Sequence, residues 1–434
     1  MPAKVTALSL RQMLFFWLPL AASWLLMSAE APILQAAIAR LADMQTQLAA
    51  FGIVMSLQIA IESPVIMLLA TSTALTSNAA NYLTLRRFMV WINILCTVVA
   101  VLMAFTPLYA LVVLTWMGIP QEIADAALPG MKIMILWTAA IGVRRFLQGV
   151  LIRHGETRWI GYGTIVRLIS SAGTGILLAV ASHLPGVHVG SLGLMAGVIS
   201  EAAFIVWIAR PTVRMIPSER PEDSETFTIW DVTRYHLPLA ATSFLTLMAQ
   251  PVIGAGLARM PDPRANLAAW PVIWGILFLF RSPAFALPEA VIALVGQKQP
   301  RDTVHLLCRR AGYAASGAMA LLVLTPLSTL YLRHVAGLPD GLAGFVLPGL
   351  ILSLPIPYIN AIHSWLRGLL LVARSTTVIY WGMGLNLVLT VALMAAGVLL
   401  QSPGAPSAVI ALTLAFLAEI YYLRRSRGTA ALRT

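Results

Sequence analysis

Apolar runs of about twenty residues or more recur from Phe15 to Leu423, separated by short polar stretches. Crossing the hydrocarbon core of a bilayer takes about 20 such residues as a helix. Within lipid only helices and closed barrels satisfy every backbone hydrogen-bonding group. Barrel strands would show weak alternation over segments of about ten residues, not continuous apolar stretches. Twelve helical spans are therefore expected. The first six lie near 15–39, 48–76, 88–117, 129–152, 160–183 and 189–209, the second six near 235–258, 267–295, 311–336, 344–372, 376–400 and 406–423. The fold class is an all-α polytopic membrane protein. Composition agrees: 59% of the 434 residues are hydrophobic and only 29 basic and 17 acidic residues carry charge, whereas a soluble domain is roughly a quarter charged. A soluble enzyme is excluded. The first run lacks a following cleavage site of small residues and is expected to be a retained helix. Cys96, inside an apolar run, and Cys308, beside Arg309 and Arg310, cannot form a disulfide framework or a metal cluster. No metal and no cofactor are expected.

The formal charge of +12 is explained by its placement. With the spans drawn, nineteen Lys and Arg fall on the side holding both termini: Lys4, Arg11, Arg86, Arg87, Arg153, Arg158, Arg210, Arg214, Arg220, Arg234, Lys298, Arg301, Arg309, Arg310, Arg374, Arg424, Arg425, Arg427 and Arg433. The opposite loops hold four, Arg40, Arg259, Arg264 and Arg333. Positive loops stay cytoplasmic, so both termini are expected in the cytoplasm and the protein in the cytoplasmic (inner) membrane. The cations then serve topology and lipid headgroups, and no nucleic-acid partner is expected. Residues 210–234, which include PSERPEDSE, read as a cytoplasmic linker between a lobe of residues 1–209 and a lobe of residues 235–434.

The two halves repeat each other. Residues 18–43 align on residues 237–262 at an offset of 219 with 11 identities in 26, and the register continues without a gap for about another hundred residues. It pairs Ser63-Pro64 with Ser282-Pro283, Thr106-Pro107-Leu108 with Thr325-Pro326-Leu327, Leu128-Pro129-Gly130 with Leu347-Pro348-Gly349, and Gly149 with Gly368. Apolar composition accounts for single matches but not for prolines, glycines and the Arg40/Asp43 to Arg259/Asp262 pairs. Six spans per repeat is an even number, so the repeats are parallel. Such two-lobed bundles place substrate between the lobes and work by rocking one against the other. Pro32 and Pro251, equivalent on spans 1 and 7, each remove a helix hydrogen bond and are expected to kink their helices; the bland alternative is a static shape feature.

Eleven ionisable side chains remain inside the spans: Glu30, Glu62, Glu201, Glu289, Glu419, Lys132, Arg144, Arg145, Arg167, Arg281 and Arg367. Each costs about 2.5 to 3.5 kcal/mol at the centre of a lipid-facing helix, so those near mid-span must face water or a partner. Lys132, Glu289 and Glu419 lie close to span ends and are expected to snorkel to the interface. Glu62 and Arg281 lie at mid-span, precede Ser-Pro, and correspond under the offset. They read either as a substrate, coupling or gating pair across the pseudo-twofold axis, or as separate structural contacts within each lobe. On span 10, Asn360, His363, Ser364 and Arg367 share one helix face; their repeat partners are Ile141, Arg144, Arg145 and Gln148. Arg167 on span 5 corresponds to Asn386 on span 11. Guanidinium groups suit carboxylates and phosphates, so Arg144, Arg145, Arg281, Asn360, His363 and Arg367 are read as lining a site for an anionic ligand. Arg167 and Arg367 carry the alternative of snorkelling. Glu30, Glu62 and Glu201 are candidate coupling or gating carboxylates. His363 is a candidate proton carrier or simply a hydrogen-bonded histidine.

Several stretches carry a family resemblance: FFWLPLAASWLLMSAEAPILQAAIARL at the start, LAAFGIVMSLQIAIESPVIML in span 2, GVLIRHGETRWIG after span 4, and LPIPYINAIHSWLRG in span 10. With twelve spans in two parallel repeats, the chain resembles the multidrug and toxin extrusion (MATE) and polysaccharide flippase (MOP) superfamily, and within it is most similar to the progressive ankylosis protein family. The resemblance covers nearly the whole chain and rests on no short diagnostic motif. It implies export of a small multivalent anion of the citrate, pyrophosphate or nucleotide class. A monomer and a coupling proton or sodium ion are expected separately. A MATE-type multidrug antiporter using Glu30 and Glu62 for cationic drugs is one alternative, and a flippase for lipid-linked oligosaccharide is another. A receptor or structural membrane protein is the non-transport reading.

Overall fold

The computed structural model describes residues 8–216, 226–296, 298–373 and 375–431. Lys4, Arg220, Arg374, Arg433 and the PSERPEDSE segment lie outside them, as does the side chain of Arg427. Among the described residues nine helices are long and apolar enough to cross a membrane, and three bent helix pairs bring the spans to twelve. The first repeat holds α1 (Leu10–Ile38), α2 (Met44–Leu75), α3 (Ala79–Phe105), α4 (Gln121–Ile133 followed by Trp137–Arg153), α5 (Arg158–Ala181) and α6 (Gly186–Arg214). The second holds α7 (Ile229–Leu257), α8 (Pro263–Val295), α9 (Arg301–Val323, turning by 77° into Leu327–Val335), α10 (Asp340–Leu352 followed by Ile356–Val372), α11 (Thr377–Leu399) and α12 (Gly404–Ser426). Most boundaries fall within a few residues of those expected. The exceptions are the charged starts of α3, α4 and α9, which begin eight to ten residues early because helix continues past the apolar run, and the end of α3, which stops at Phe105, twelve residues before the expected 117, because Thr106-Pro107 breaks the helix ahead of a π-helical turn. The described part of the expected linker is short, since α6 extends to Arg214 and Thr228 caps α7 reciprocally with Asp231.

The repeat is written into the backbone. Asp43 and Asp262 both open their helices in the left-handed region, at φ 49° and 53°, and Gly118 and Gly337, in the matching loops before α4 and α10, adopt positive φ of 67° and 71°. The two halves of α4 are bent by 46° and those of α10 by 43°, each pair after its matching proline, Pro129 or Pro348. A π-helical turn follows Pro107 in one repeat and Pro326 in the other. The Ser-Pro pairs have a common cause. A proline has no N–H for the carbonyl four residues back, and the preceding serine hydroxyl donates to that carbonyl instead, Ser63 to Ala60 at 2.8 Å and Ser282 to Leu279 at 3.0 Å. The helices still loosen there: α2 breaks at Met67, and α8 passes through a 3₁₀ segment over Ser282–Ala286. The expected kinks are not matched. A break at Met248 precedes Pro251, whereas α1 runs unbroken through Pro32.

Two compact units form, one of Met1–Ala36 with Arg259–Thr434 and one of Ala37–Ala258. These boundaries differ from the expected lobes of residues 1–209 and 235–434, because the first helix of each repeat is grouped with the other repeat. In the first unit Met13, Trp17 and Ala21 of α1 are buried in the cluster formed by Leu287, Val291, Leu307 and Trp365. In the second, His236 of α7 is buried against α2, its ring nitrogens 2.9 Å from the Pro64 carbonyl and 2.9 Å from the Thr71 hydroxyl.

Candidate functional site

In the unit of residues 37–258, the polar centre is built on Glu201 of α6, which is wholly buried. Its carboxylate accepts a hydrogen bond from Arg144 Nη1, accepts another from Gln148 Nε2 at 3.2 Å, and lies 3.8 Å from Arg167 Nη1. Arg144 and Gln148 are four residues apart and share one face of α4; Arg167 comes from α5. The Arg167 guanidinium also lies 5.6 Å from the Trp137 ring centre. The Trp137 indole N–H donates to Glu62 of α2, so a continuous line runs from Glu62 to Gln148. Arg145 is half-buried beside this line, and its Nε has no hydrogen-bond partner. Glu62 and Glu201 face Arg144, Arg145 and Arg167, so the cluster holds one more cation than anion.

The unit of residues 1–36 and 259–434 repeats the arrangement with different chemistry. Glu419 of α12 is buried, accepts from Asn386 Nδ2 of α11 at 2.9 Å, and lies 2.7 Å from His363 Nε2 of α10. Arg144 and Arg167 correspond to His363 and Asn386 at the offset of 219. Before the last helix the register slips by one, so Gly186 and Glu201 correspond to Gly404 and Glu419. Packing confirms the equivalence. A Cβ on Gly163 would stand 3.4 Å from Glu201 Cγ, and one on Gly382 would stand 3.4 Å from Glu419 Cγ. Each glycine lets the glutamate-bearing helix approach closely. Arg367, the counterpart of Gln148, is half-buried within electrostatic reach of Glu419 and Glu289, and its Nε has no hydrogen-bond partner.

Arg281 is different in kind. It is 5% exposed, and its guanidinium lies 5.3, 5.2 and 5.1 Å from the ring centres of Trp274, Phe285 and Phe416. Its Nη2 donates to Asn360 Oδ1 at 3.2 Å, and Asn360 Nδ2 approaches the Arg281 carbonyl at 3.4 Å. No described carboxylate lies within ion-pair distance of it, and its Nε is unpartnered. Ring faces attract a guanidinium but do not neutralise it. Glu62 and Arg281 thus each have their hydrogen-bond partner inside their own unit, Trp137 and Asn360 respectively.

The sequence expectations fare unevenly. Arg144 and Glu201 meet each other directly, and His363 and Arg367 gather around a residue that sequence reasoning sent elsewhere. Glu419, expected to snorkel, is 2% exposed; α12 continues to Ser426, which places Glu419 deeper than the apolar run suggested. Lys132 and Glu289 are exposed. Arg167 is buried, not snorkelling, and Glu30 lies buried on α1. Trp137 and His236 were missed. His236 stands at the start of its apolar run, where it reads as interfacial, and Trp137 stands inside an apolar run, where it reads as one more packing residue.

No known family profile matches the sequence, and no curated protein matches it either. Solved structures do match over almost the full length. A multidrug resistance MATE family transporter of the MOP superfamily, in its inward-facing conformation, superposes with a TM-score of 0.69 at 13% identity, covering 95% of this chain and 99% of that one. A MOP superfamily transporter from Pyrococcus furiosus gives 0.63 at 15% identity, with 96% and 95% covered. The lipid II flippase MurJ, in an inward closed conformation, gives 0.69 at 13% identity, with 94% and 87% covered. The chain shares the fold of these MATE transporters, and among its described residues up to twelve helical segments are long and apolar enough to cross a membrane.

Proposed function

We propose that the protein is a transporter, not an enzyme, that exports a small organic or phosphorylated anion of the citrate, pyrophosphate or nucleotide class by alternating access. One observation carries the sign of the ligand. Among the described residues the buried side-chain atoms without a hydrogen-bond partner include the Nε donors of Arg144, Arg145, Arg281 and Arg367, and no carboxylate oxygen. Buried guanidinium donors left over after internal pairing call for an acceptor-rich, negatively charged partner. Arg281 and Arg367 with Asn360, all in one unit, are its proposed contacts, and Arg145 is the corresponding left-over cation of the other unit. Glu62, Glu201 and Glu419 are already engaged by Trp137, Arg144 and His363, which speaks against a cationic drug held by those acids. For the Pyrococcus furiosus transporter a reversed polarity of the binding pocket is described as suggesting a different function. The fold therefore does not choose the ligand's sign, and the charges of each chain must.

The progressive ankylosis-like resemblance favours the same ligand class. The excess of Lys and Arg on one side of the spans supports cytoplasmic termini in an inner membrane, and a fluorescent-protein fusion at the C-terminus is expected to glow there. A monomer coupled to protons or sodium is the simplest working unit. The MATE-type multidrug antiporter remains the competing reading, kept by Glu30 and Glu62. The test is proteoliposome uptake of citrate, pyrophosphate and ATP beside the cationic dye ethidium. Uptake of an anion supports the proposal; uptake of ethidium alone overturns it.

A further inference from the structure

The two glutamate hubs are copies in position and packing but not in chemistry. In the hub on α4, α5 and α6, Glu201 is held by Arg144, whose guanidinium stays protonated under any condition a protein meets. In the hub on α10, α11 and α12 the same place is taken by His363, the side chain whose ordinary titration range spans neutral pH. The second α4 position, Gln148, becomes Arg367, and Arg167 becomes Asn386. The first hub therefore holds two guanidinium groups around one carboxylate, and the second holds one guanidinium, one imidazole and an amide. We propose that the His363–Glu419 pair is the proton-binding site of the transporter, and that Arg144–Glu201, with a guanidinium in place of the imidazole, is its structural copy without that proton. This rests on the transport reading above and adds the coupling ion and its place.

The chemistry balances simply. In the unloaded pair a neutral imidazole donates its Nε2–H to the Glu419 carboxylate. Loading adds one proton from water to the other ring nitrogen and produces a cation beside a carboxylate, the arrangement in which a guanidinium stands at Arg144 beside Glu201. Release returns that proton to water. The charges facing the pair are few: Arg367 on α10 beside His363, Glu289 on α8 within reach of Arg367, and Arg281 on α8. Arg281 shares the Phe416 ring with His363, whose imidazole meets it edge-on at 5.6 Å, while the guanidinium lies 5.1 Å away. α11 contributes Asn386, which donates to Glu419. Proton loading thus raises the positive charge one ring away from the unpaired Arg281, so that occupancy of the pair and anion affinity are linked through Phe416.

His363→Arg rebuilds the first hub in the second and mimics the loaded state permanently. In proteoliposomes, pH-gradient-driven accumulation of labelled citrate, pyrophosphate or ATP is measured relative to each variant's own exchange rate. The gradient is expected to stimulate wild-type accumulation and to give no stimulation in His363→Arg. Persistent stimulation in the variant would overturn the proposal. A second readout needs no transport. The imidazole NMR signal of His363 in purified wild-type protein, assigned by its loss in His363→Gln, is followed from pH 5 to 9. It is expected to change with pH across that window in the wild type and to follow a different course, with a moved midpoint, in Glu419→Gln, where the carboxylate partner is gone. No titration, or an unmoved midpoint, overturns the proposal. If none of the three anions is carried by the wild type, the substrate reading fails while the imidazole titration still decides this one.

Discussion

Replacing Glu201 by glutamine keeps the size of the side chain and removes the carboxylate that accepts from Arg144 and Gln148 and lies 3.8 Å from Arg167. Arg144 is 3% exposed and Arg167 8%, so neither guanidinium can recover its hydration when the charge opposite disappears. At an effective dielectric constant of about 20, a unit charge pair near 4 Å is worth about 4 kcal/mol. Part of that gain is spent on desolvation in the native pair. Removing one partner leaves the desolvation of the other unanswered, at about 3–5 kcal/mol. For units near two hundred residues, 1 kcal/mol moves the midpoint by roughly 2–4 °C, so Glu201→Gln is expected to lower it by roughly 6–20 °C. Cys96 and Cys308 are both free and buried, so a thiol-reactive fluorophore on detergent-purified protein reports unfolding directly. Arg144→Gln should cost a similar amount, and the double variant less than the sum, with a coupling of at least about 2 kcal/mol. Additive effects, or a Glu201→Gln midpoint within about 1 °C of wild type, would refute the account of this hub.

Gly149→Ala places a Cβ 1.9 Å from Ser72 Oγ and 2.5 Å from the Leu69 carbonyl; the backbone atom cannot step aside, and the thermal midpoint should fall by an amount equivalent to about 1–3 kcal/mol. Gly368→Ala, whose Cβ would meet Val291 Cβ at 2.7 Å and the Pro288 carbonyl at 3.3 Å, is expected to cost less in the same assay. His236→Ala removes both hydrogen bonds that tie α7 to the broken part of α2, and hydrogen exchange at Met67–Thr71 should accelerate by about ten-fold or more, since unmade buried hydrogen bonds cost about 1–3 kcal/mol. Arg144→Ala, by stranding Glu201, is expected to lose stability as well as transport, whereas Arg281→Gln strands no carboxylate and should retain a near wild-type midpoint.

The spans and the repeat were legible because lipid forces continuous apolar stretches, and because prolines and glycines mark bends that apolar composition cannot imitate. The Ser-Pro correspondence at Glu62 and Arg281 was visible for the same reason, although its meaning was not: the repeat says which helices are alike, not which ones touch. That is also why the assignment of α1 and α7 to the opposite units could not be read. It depends on where Trp17 and His236 bury their rings, and one apolar helix face looks much like another in sequence. Glu419 was misplaced because depth was judged from the apolar run, which ends at Leu423, while the helix carries on. The correspondence of Glu419 with Glu201 was hidden by the one-residue slip in register. Once the slip is allowed, both hubs can be found from sequence by asking which inward-facing acid on the last helix of each repeat has partners on the fourth and fifth.

The central claim is that a buried, unpaired guanidinium recognises an anion. Its most direct test is equilibrium binding of citrate, pyrophosphate and ATP to detergent-purified wild type and Arg281→Gln, with folding of both checked by thermal midpoint. Saturable binding of at least one of the three to the wild type is expected, with a drop in affinity of ten-fold or more in Arg281→Gln. Equal affinity in both proteins, or binding of ethidium and no anion, would contradict it.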